Sequence, residues 1–383
     1  MKRAAAAGGG WRAGAPVAPW ATVVLAAAVW ALPAAAQPHV PKATEISYYY
    51  DIFDHSLIRP ISRQLDPVHV LRKISARPKE AANVDERDQV RLPSTWWQPR
   101  AGFRRVTVEQ MLTGPGPGTG PAPGVWTVTR AKTQGVTPGF FIKDTSGARF
   151  IIKFDPPANQ EMATSADAIS CVLYWACGYN VPDNTVAFFR PEDLRIADGA
   201  NYVNERGQKR PMSQEFLTDL LANLPRRPDG TIRSVASRLL AGQPLGPFEY
   251  RGRRRDDPED LIPHELRREL RGLWTIAAWT NHADVRGPNS LDMWLTGDER
   301  SFVRHYLIDF GSCLGSGALA ARSYVTGGQY FVDYGVMGSS LATLGLKRFA
   351  WESIVDQGYP SIGFIEAEAF DPVSWRPDYP NPA

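Results

Sequence analysis

Three runs of sequence point to an α+β fold built in two parts. The first is a strand hairpin, GFFIKD and RFIIKFD, turning at Asp144-Thr145-Ser146-Gly147, where the glycine is free to take a positive φ. The second is Glu161 to Gly178, in which Ile169, Val172, Leu173 and Ala176 recur at helical spacing and Gly178 provides the stop. The third is Glu265 to His282, where Leu266, Leu270, Leu273, Trp274, Ala277 and Ala278 mark one face and Arg267, Arg268 and Arg271 lie off it. An apolar strand, HYLIDF, follows a polar loop. Strands, one helix, more strand and then mainly helix describe a bilobal unit, a small β-rich lobe followed by a mainly helical one.

The chain before this unit divides by composition. Residues 1–36 have a basic start, an apolar run from Ala21 to Leu32 and Ala34-Ala35-Ala36 before Gln37, the pattern of a cleaved export signal of the bacterial kind. The run from Ala21 to Ala36 contains Pro33 and falls short of the roughly 20 apolar residues of a spanning helix. A periplasmic or secreted protein with no stable membrane insertion after cleavage is expected. Residues 37–113 form an irregular arm, and Tyr48 to Tyr50, Trp96 and Trp97 need a surface to bury against. Gly114 to Gly124 (GPGPGTGPAPG) reads as a Pro/Gly linker with no capacity for a core. Residues 125–190 are the β-rich lobe, with VWTVTRAK as its first strand and Val186 to Phe189 as a later one. Residues 191–260, with a helix at Ser213 to Leu224, are an insertion or hinge, and 261–383 the helical lobe.

Charge excludes one class of partner. The chain has 43 Lys+Arg against 40 Asp+Glu, a formal +3, which would raise the question of nucleic acid. All of the excess is Lys2, Arg3 and Arg12, so removing the signal leaves a neutral protein with no field to draw it onto polyanions. The RGRRR run at 251–255 is followed by Asp256, Asp257, Glu259 and Asp260 and reads as a solvated, locally neutralised loop. Cys171 and Cys177 lie about 120° apart around one helix at ~100° per residue, and Cys313 stands alone, so three thiols are expected rather than a disulfide framework.

Chemistry is carried by three features in fixed order. Lys153 ends the strand RFIIK; His282-Ala-Asp284-Val-Arg-Gly-Pro-Asn289 follows the long helix; Leu307-Ile308-Asp309-Phe310-Gly311 ends an apolar strand. Phosphoryl transfer from ATP needs a cation on the nonreacting phosphates, oxygen ligands for Mg²⁺ and a carboxylate near the attacking hydroxyl, and these residues supply each. In spacing and motif the chain resembles the kinase superfamily: HADVRGPN is similar to the H-R-D-x-x-x-x-N loop and IDFG to the D-F-G metal motif. The resemblance is closer to atypical kinases (HipA-type, phosphatidylinositol 4-kinase-like and CotH-like), and TQGVTPG at 133–139 looks like the loop before the second strand in HipA relatives.

The resemblance implies that Lys153 binds the α- and β-phosphates, Asp284 orients or deprotonates the acceptor hydroxyl, and Asn289 and Asp309 hold Mg²⁺. It implies further that Gly135 and Gly139 cover the phosphates, and that a helix acid pairs with Lys153. Glu161, at the helix start, and Asp167, two turns in, both remain open for that role, with Asp167 the better placed. Departures are Ala283 before Asp284, where a catalytic-loop Arg is missing, and the lack of both G-x-G-x-x-G and A-P-E. The chain also reaches Ala383 soon after Gly311, so a further C-terminal segment is expected. The function implied is an exported, ATP- and Mg-dependent phosphotransferase acting on a hydroxyl of an unknown acceptor. Because export places an ATP-type site where ATP is scarce, the alternative is a non-catalytic, pseudokinase-like binding protein of the cell envelope. A hydrolase is disfavoured by the lack of G-x-S-x-G and H-E-x-x-H.

Overall fold

The computed structural model describes residues 39–58, 61–62, 65–75, 79–132, 138–204, 207–282, 284–297, 300–321, 334–349 and 358–363. The chain divides after Val40, and every element below belongs to the unit Pro41–Ala383. The proposed export signal lies outside the described residues, as does Gly135. Among the described residues no helix is long and apolar enough to cross a membrane.

Short helices come first, among them α1 (Tyr48–Phe53), continued by a π-helical turn at Asp54–Ile58, α2 (Pro67–Ser75) and α3 (Val108–Thr113). The β-rich part follows as β1 (Trp126–Ala131), β2 (Gly139–Lys143), β3 (Arg149–Lys153), α4 (Met162–Ala176), β4 (Asn184–Phe189), β5 (Leu194–Val203), β6 (Lys209–Pro211), α5 (Gln214–Ala222) and β7 (Ile232–Arg238). Its seven strands make one mixed sheet in the order β4-β7-β3-β2-β1-β5-β6, parallel only between β1 and β5. The remainder holds β8 (Gln243–Gly246), α6 (Arg268–Trp279), β9 (Ser290–Thr296), β10 (Ser301–Leu307) and α7 (Tyr334–Ala342), with β10-β9-β8 as a second sheet. The architecture is therefore mixed α+β.

Alternation along the hairpin decides which side of the large sheet is dry. Phe140 and Ile142 of β2 and Phe150 and Ile152 of β3 point into one core with Trp126, Phe189 and Ile232, closed by Leu217 and Leu221 of α5. Ser213 starts α5 by accepting the Phe216 amide hydrogen. Ile151 and Lys153 face the other way, towards α4. A second core joins Cys171 and Tyr174 of α4 to Leu270, Leu273 and Ala277 of α6, with Trp96, Phe248 and Phe310. The three thiols are free, and Cys171 and Cys313 are buried.

Several expectations change. Residues 191–260 are no insertion: β7 lies between β3 and β4 in the sheet, and Ile232, Val235 and Ala236 are core residues. The segment from 261 onward carries, among the described residues, two α-helices and a β-hairpin rather than mainly helix. The long helix runs Arg268–Trp279 after a 3₁₀ turn at His264–Leu266, so it is shorter than 265–282. The 114–124 segment is packed: Gly118 donates its amide to Asp183 at 3.2 Å, Ala122 donates to Asp144 at 2.8 Å, and a Cβ at Gly116 would collide with Asp183. Tyr49 and Tyr50 are 83% and 64% exposed, so these two arm aromatics do not seek burial. Arg254 of the basic run is buried against Asp292 at 3.0 Å instead of being solvated.

The arm is integral at Trp96. Its indole is stacked on His305 with 3.5 Å between centroids, meets Phe248 edge-on, and has the Arg267 guanidinium over it at 4.8 Å. Trp96→Ala should cost about 3–5 kcal/mol in denaturant unfolding. A loss below about 1 kcal/mol, the scale of an ordinary surface change, would mean that this part of the arm is merely laid over the body.

Candidate active site

Three separated segments bring their charged groups to one point. Lys153 Nζ lies 2.5 Å from Asp167 Oδ2 and 3.0 Å from Asp309 Oδ1. The Lys153 side chain is 11% exposed and that of Asp167 1%, whereas that of Asp309 remains 40% open. The cluster is thus a buried ion pair with one accessible carboxylate.

Local structure explains each position. Lys153 closes β3 opposite Gly139 of β2 and Val235 of β7. Glycine is required at 139, because a Cβ there would run into the Ile152 carbonyl oxygen. Asp167 belongs to the buried stripe of α4 with Ser170, Cys171 and Tyr174, the i, i+3, i+4, i+7 set of a helix face. That placement also gives it the Asn184 side-chain amide at 2.7 Å and the Phe310 backbone amide at 3.3 Å, so the carboxylate is satisfied by two neutral N–H donors as well as by the Lys153 ammonium.

Glu161 does not take this role. It is exposed at the N-cap of α4 with φ 70° and makes no side-chain cap. The acidic group at the helix start is instead Asp155, which accepts from the Thr164 amide at 2.8 Å and its hydroxyl at 2.7 Å. Asp167 is the acid that pairs with Lys153.

Asp309 has φ 63°, an unfavourable conformation for a residue with a Cβ. Phe310 beside it is fully buried, tilted against Tyr174 at 4.8 Å and against His282 at 5.7 Å. Locking Phe310 into the core aims Asp309 back at Lys153. His282 itself is buried, with Nδ1 2.9 Å from the Tyr174 hydroxyl, which makes it a packing residue of this wall.

Asn289 joins the cluster through the backbone. The Ile308 amide donates to its carbonyl at 3.1 Å, holding the loop beside Asp309. Its side-chain amide nitrogen donates to the Asp284 backbone carbonyl at 2.8 Å and to Asp284 Oδ2 at 2.7 Å. With its hydrogens on Asp284, the oxygen of that amide is the atom left for a cation. Arg286 Nε donates to Asp284 Oδ1 at 2.5 Å. Arg286 and the nearby Lys132 are site residues that the motifs did not announce. Lys132 follows β1 within the TRAK run, and a basic residue at that strand end is its one sequence signal.

Burial and neighbouring charge act on each of these groups. Burial pushes the Asp309 carboxyl up, but the Lys153 and Lys132 ammonium groups outweigh it and hold the pKa down to about 2. Burial pulls Lys153 down, and Asp167 and Asp309 more than reverse this, so its pKa is raised. Lys132 is lowered, chiefly by burial, with Asp309 opposing and Lys153 adding to the effect. Among the described residues no group of three or more His, Cys, Asp or Glu is arranged to hold a metal. One ionised carboxylate and one amide oxygen are nevertheless chemically suited to Mg²⁺, a hard cation that keeps several of its ligands as water or phosphate. A cavity of about 260 Å³, lined by residues including Trp96, Asp257, Arg267 and His305, shares no lining residue with this cluster. No family model matches the chain, and no curated protein or solved structure matches it.

Because the folded pKa of Asp309 is depressed from 3.8 to about 2, its contribution to stability is present above about pH 4 and is lost as pH falls towards 2. Unfolding in urea at stepped pH should therefore show a steeper acid loss in the wild type than in Asp309→Asn. Equal slopes would contradict the ion cluster.

Proposed function

We propose that the chain is an atypical kinase-like phosphotransferase with a bilobal arrangement, moving the γ-phosphoryl group of ATP to a hydroxyl of a protein, glycan or lipid. The observation that carries this reading is the meeting of Lys153, Asp167 and Asp309 from β3, α4 and the segment that follows β10. A strand Lys paired with a helix acid, and an Asp-Phe-Gly carboxylate in place for metal, are the two conditions that kinases must satisfy together. The mixed sheet with a helix carrying that acid supports the same reading.

In this reading Lys153 grips the nonreacting phosphates, while Asp309 and Asn289 hold Mg²⁺. Bound Mg²⁺ supplies charge neutralisation along the phosphates. Asp284, whose side chain is 37% exposed, receives the proton of the acceptor hydroxyl. The acceptor oxygen bonds to the γ-phosphorus as the bond to the β–γ bridging oxygen breaks, and ADP departs with that electron pair. The enzyme acts outside the cytoplasm, following the export signal expected at 1–36. Net neutrality of the mature chain fits a phosphate site that works by local contacts and not by a broad field.

Calorimetric titration with Mg-ATP and a measurement of ADP release test the assignment. Lys153→Met and Asp309→Asn should weaken nucleotide binding roughly 10- to 100-fold, the loss of a charged hydrogen bond worth about 1.5–3 kcal/mol. Asp284→Asn should keep binding while slowing turnover roughly 10²- to 10⁴-fold. Absence of Mg-ATP binding by the intact protein would contradict the proposal, and binding without turnover would leave a nucleotide-binding scaffold.

A further inference from the structure

The loop that bears Asp284 is gripped from an unexpected direction. Arg286, which donates Nε to Asp284, donates Nη1 to Asp51 Oδ2 at 3.2 Å, across 235 positions of chain. The Asp51 and Arg286 side chains are only 4% and 6% exposed. Asp51 comes from α1 in the N-terminal arm, a helix begun by Ser47, whose side chain accepts the Tyr50 amide hydrogen. A planar guanidinium held by two carboxylates on different atoms has its orientation fixed, which a single contact does not achieve.

The arm does not need this pair in order to stay attached. Thr44 donates its amide to the Leu245 carbonyl at 2.8 Å and its hydroxyl to the Pro247 carbonyl at 3.0 Å. Lys42 donates its amide to Asp256 at 2.6 Å, and Arg254 donates to the Lys42 carbonyl. The Asp51 ion pair is a charged contact from the arm to the Asp284 loop, beside which Ile46 lies close to Gly287. Tyr250 reports the same neighbourhood: its buried hydroxyl is raised first by burial and then by the fields of Asp51 and Asp284 together. With Arg286 on Oδ1 and Asn289 on Oδ2, both oxygens of Asp284 are engaged, so the direction of that carboxylate depends on where Arg286 is held.

We propose that Asp51 is a positioning residue of the candidate active site, holding Arg286 from behind so that Asp284 keeps the orientation required to meet an acceptor hydroxyl. The site is then composite, with its phosphate side built from the sheet and its acceptor side depending on the arm. This rests on the kinase-like reading, and the test separates the two.

Full-length wild type, Asp51→Asn, Asp51→Glu and Arg286→Lys are compared for Mg-ATP affinity, for kcat and KM of ATP turnover, and by crystal structure. Asp51→Asn should bind Mg-ATP as the wild type does, keep its KM and lose kcat about 10- to 100-fold, the scale of a misplaced catalytic group. Asp51→Glu, which keeps the charge, should recover most of that loss. Arg286→Lys, a point charge that cannot hold two carboxylates in one plane, should reproduce it. The Asp51→Asn structure should show Asp284 turned away from Asn289. An unmoved Asp284 overturns the proposal whatever the turnover measurements give, as does an unchanged kcat or a loss shared equally by nucleotide affinity. Failure of wild type to bind Mg-ATP instead overturns the kinase-like reading, leaving the crystallographic comparison to decide the role of Asp51.

Discussion

The buried ammonium of Lys153 is the constraint on which the rest depends. A charge taken that far from water is tolerable only if opposite charge and hydrogen bonds surround it. Asp167 and Asp309 supply the charge, and Asn184 and the Phe310 amide satisfy the remaining valence of Asp167. The groups involved come from β3, α4, β4 and the segment that follows β10. Meeting the electrostatic demand of one side chain therefore fixes how four segments lie against each other.

The packing around this point serves the same end. Phe150 and Ile152 bury one face of β3, which turns Lys153 to the opposite face. Tyr174, His282 and Phe310 form an aromatic wall in which Phe310 is anchored, and Asp309 takes a left-handed conformation as the consequence. An unfavourable backbone geometry held by surrounding packing is usual where a side chain must be aimed. Of Lys153, Asp167 and Asp309, Asp309 is the one left substantially open, and it is the one proposed to hold a cation.

Motif reasoning reached Lys153, Asp284, Asn289 and Asp309 because each sits in a short contiguous pattern whose chemistry is recognisable. It left Glu161 and Asp167 open because the choice depends on helix phase. The buried stripe of Asp167, Ser170, Cys171 and Tyr174 was readable in principle, but polar residues on that stripe concealed it. Lys132, Asn184, Arg286 and Asp51 were not legible, since their roles are created by contacts between residues far apart in sequence. The α+β class followed from periodicity. The placement of β7 did not: IRSVASR is too polar to announce a central strand, and its pairing with β3 and β4 is not local. The Pro/Gly segment looked featureless for a related reason, as small residues were needed there for close approach to Asp183 and not for flexibility.

The most direct measurement is a crystal structure of the protein with Mn²⁺ and a non-hydrolysable ATP analogue, locating manganese by its anomalous scattering. The account predicts metal between the Asp309 carboxylate and the Asn289 amide oxygen, with the phosphates on Lys153. Nucleotide or metal bound elsewhere, or a Lys153–Asp309 contact left untouched in crystals holding nucleotide, would contradict it.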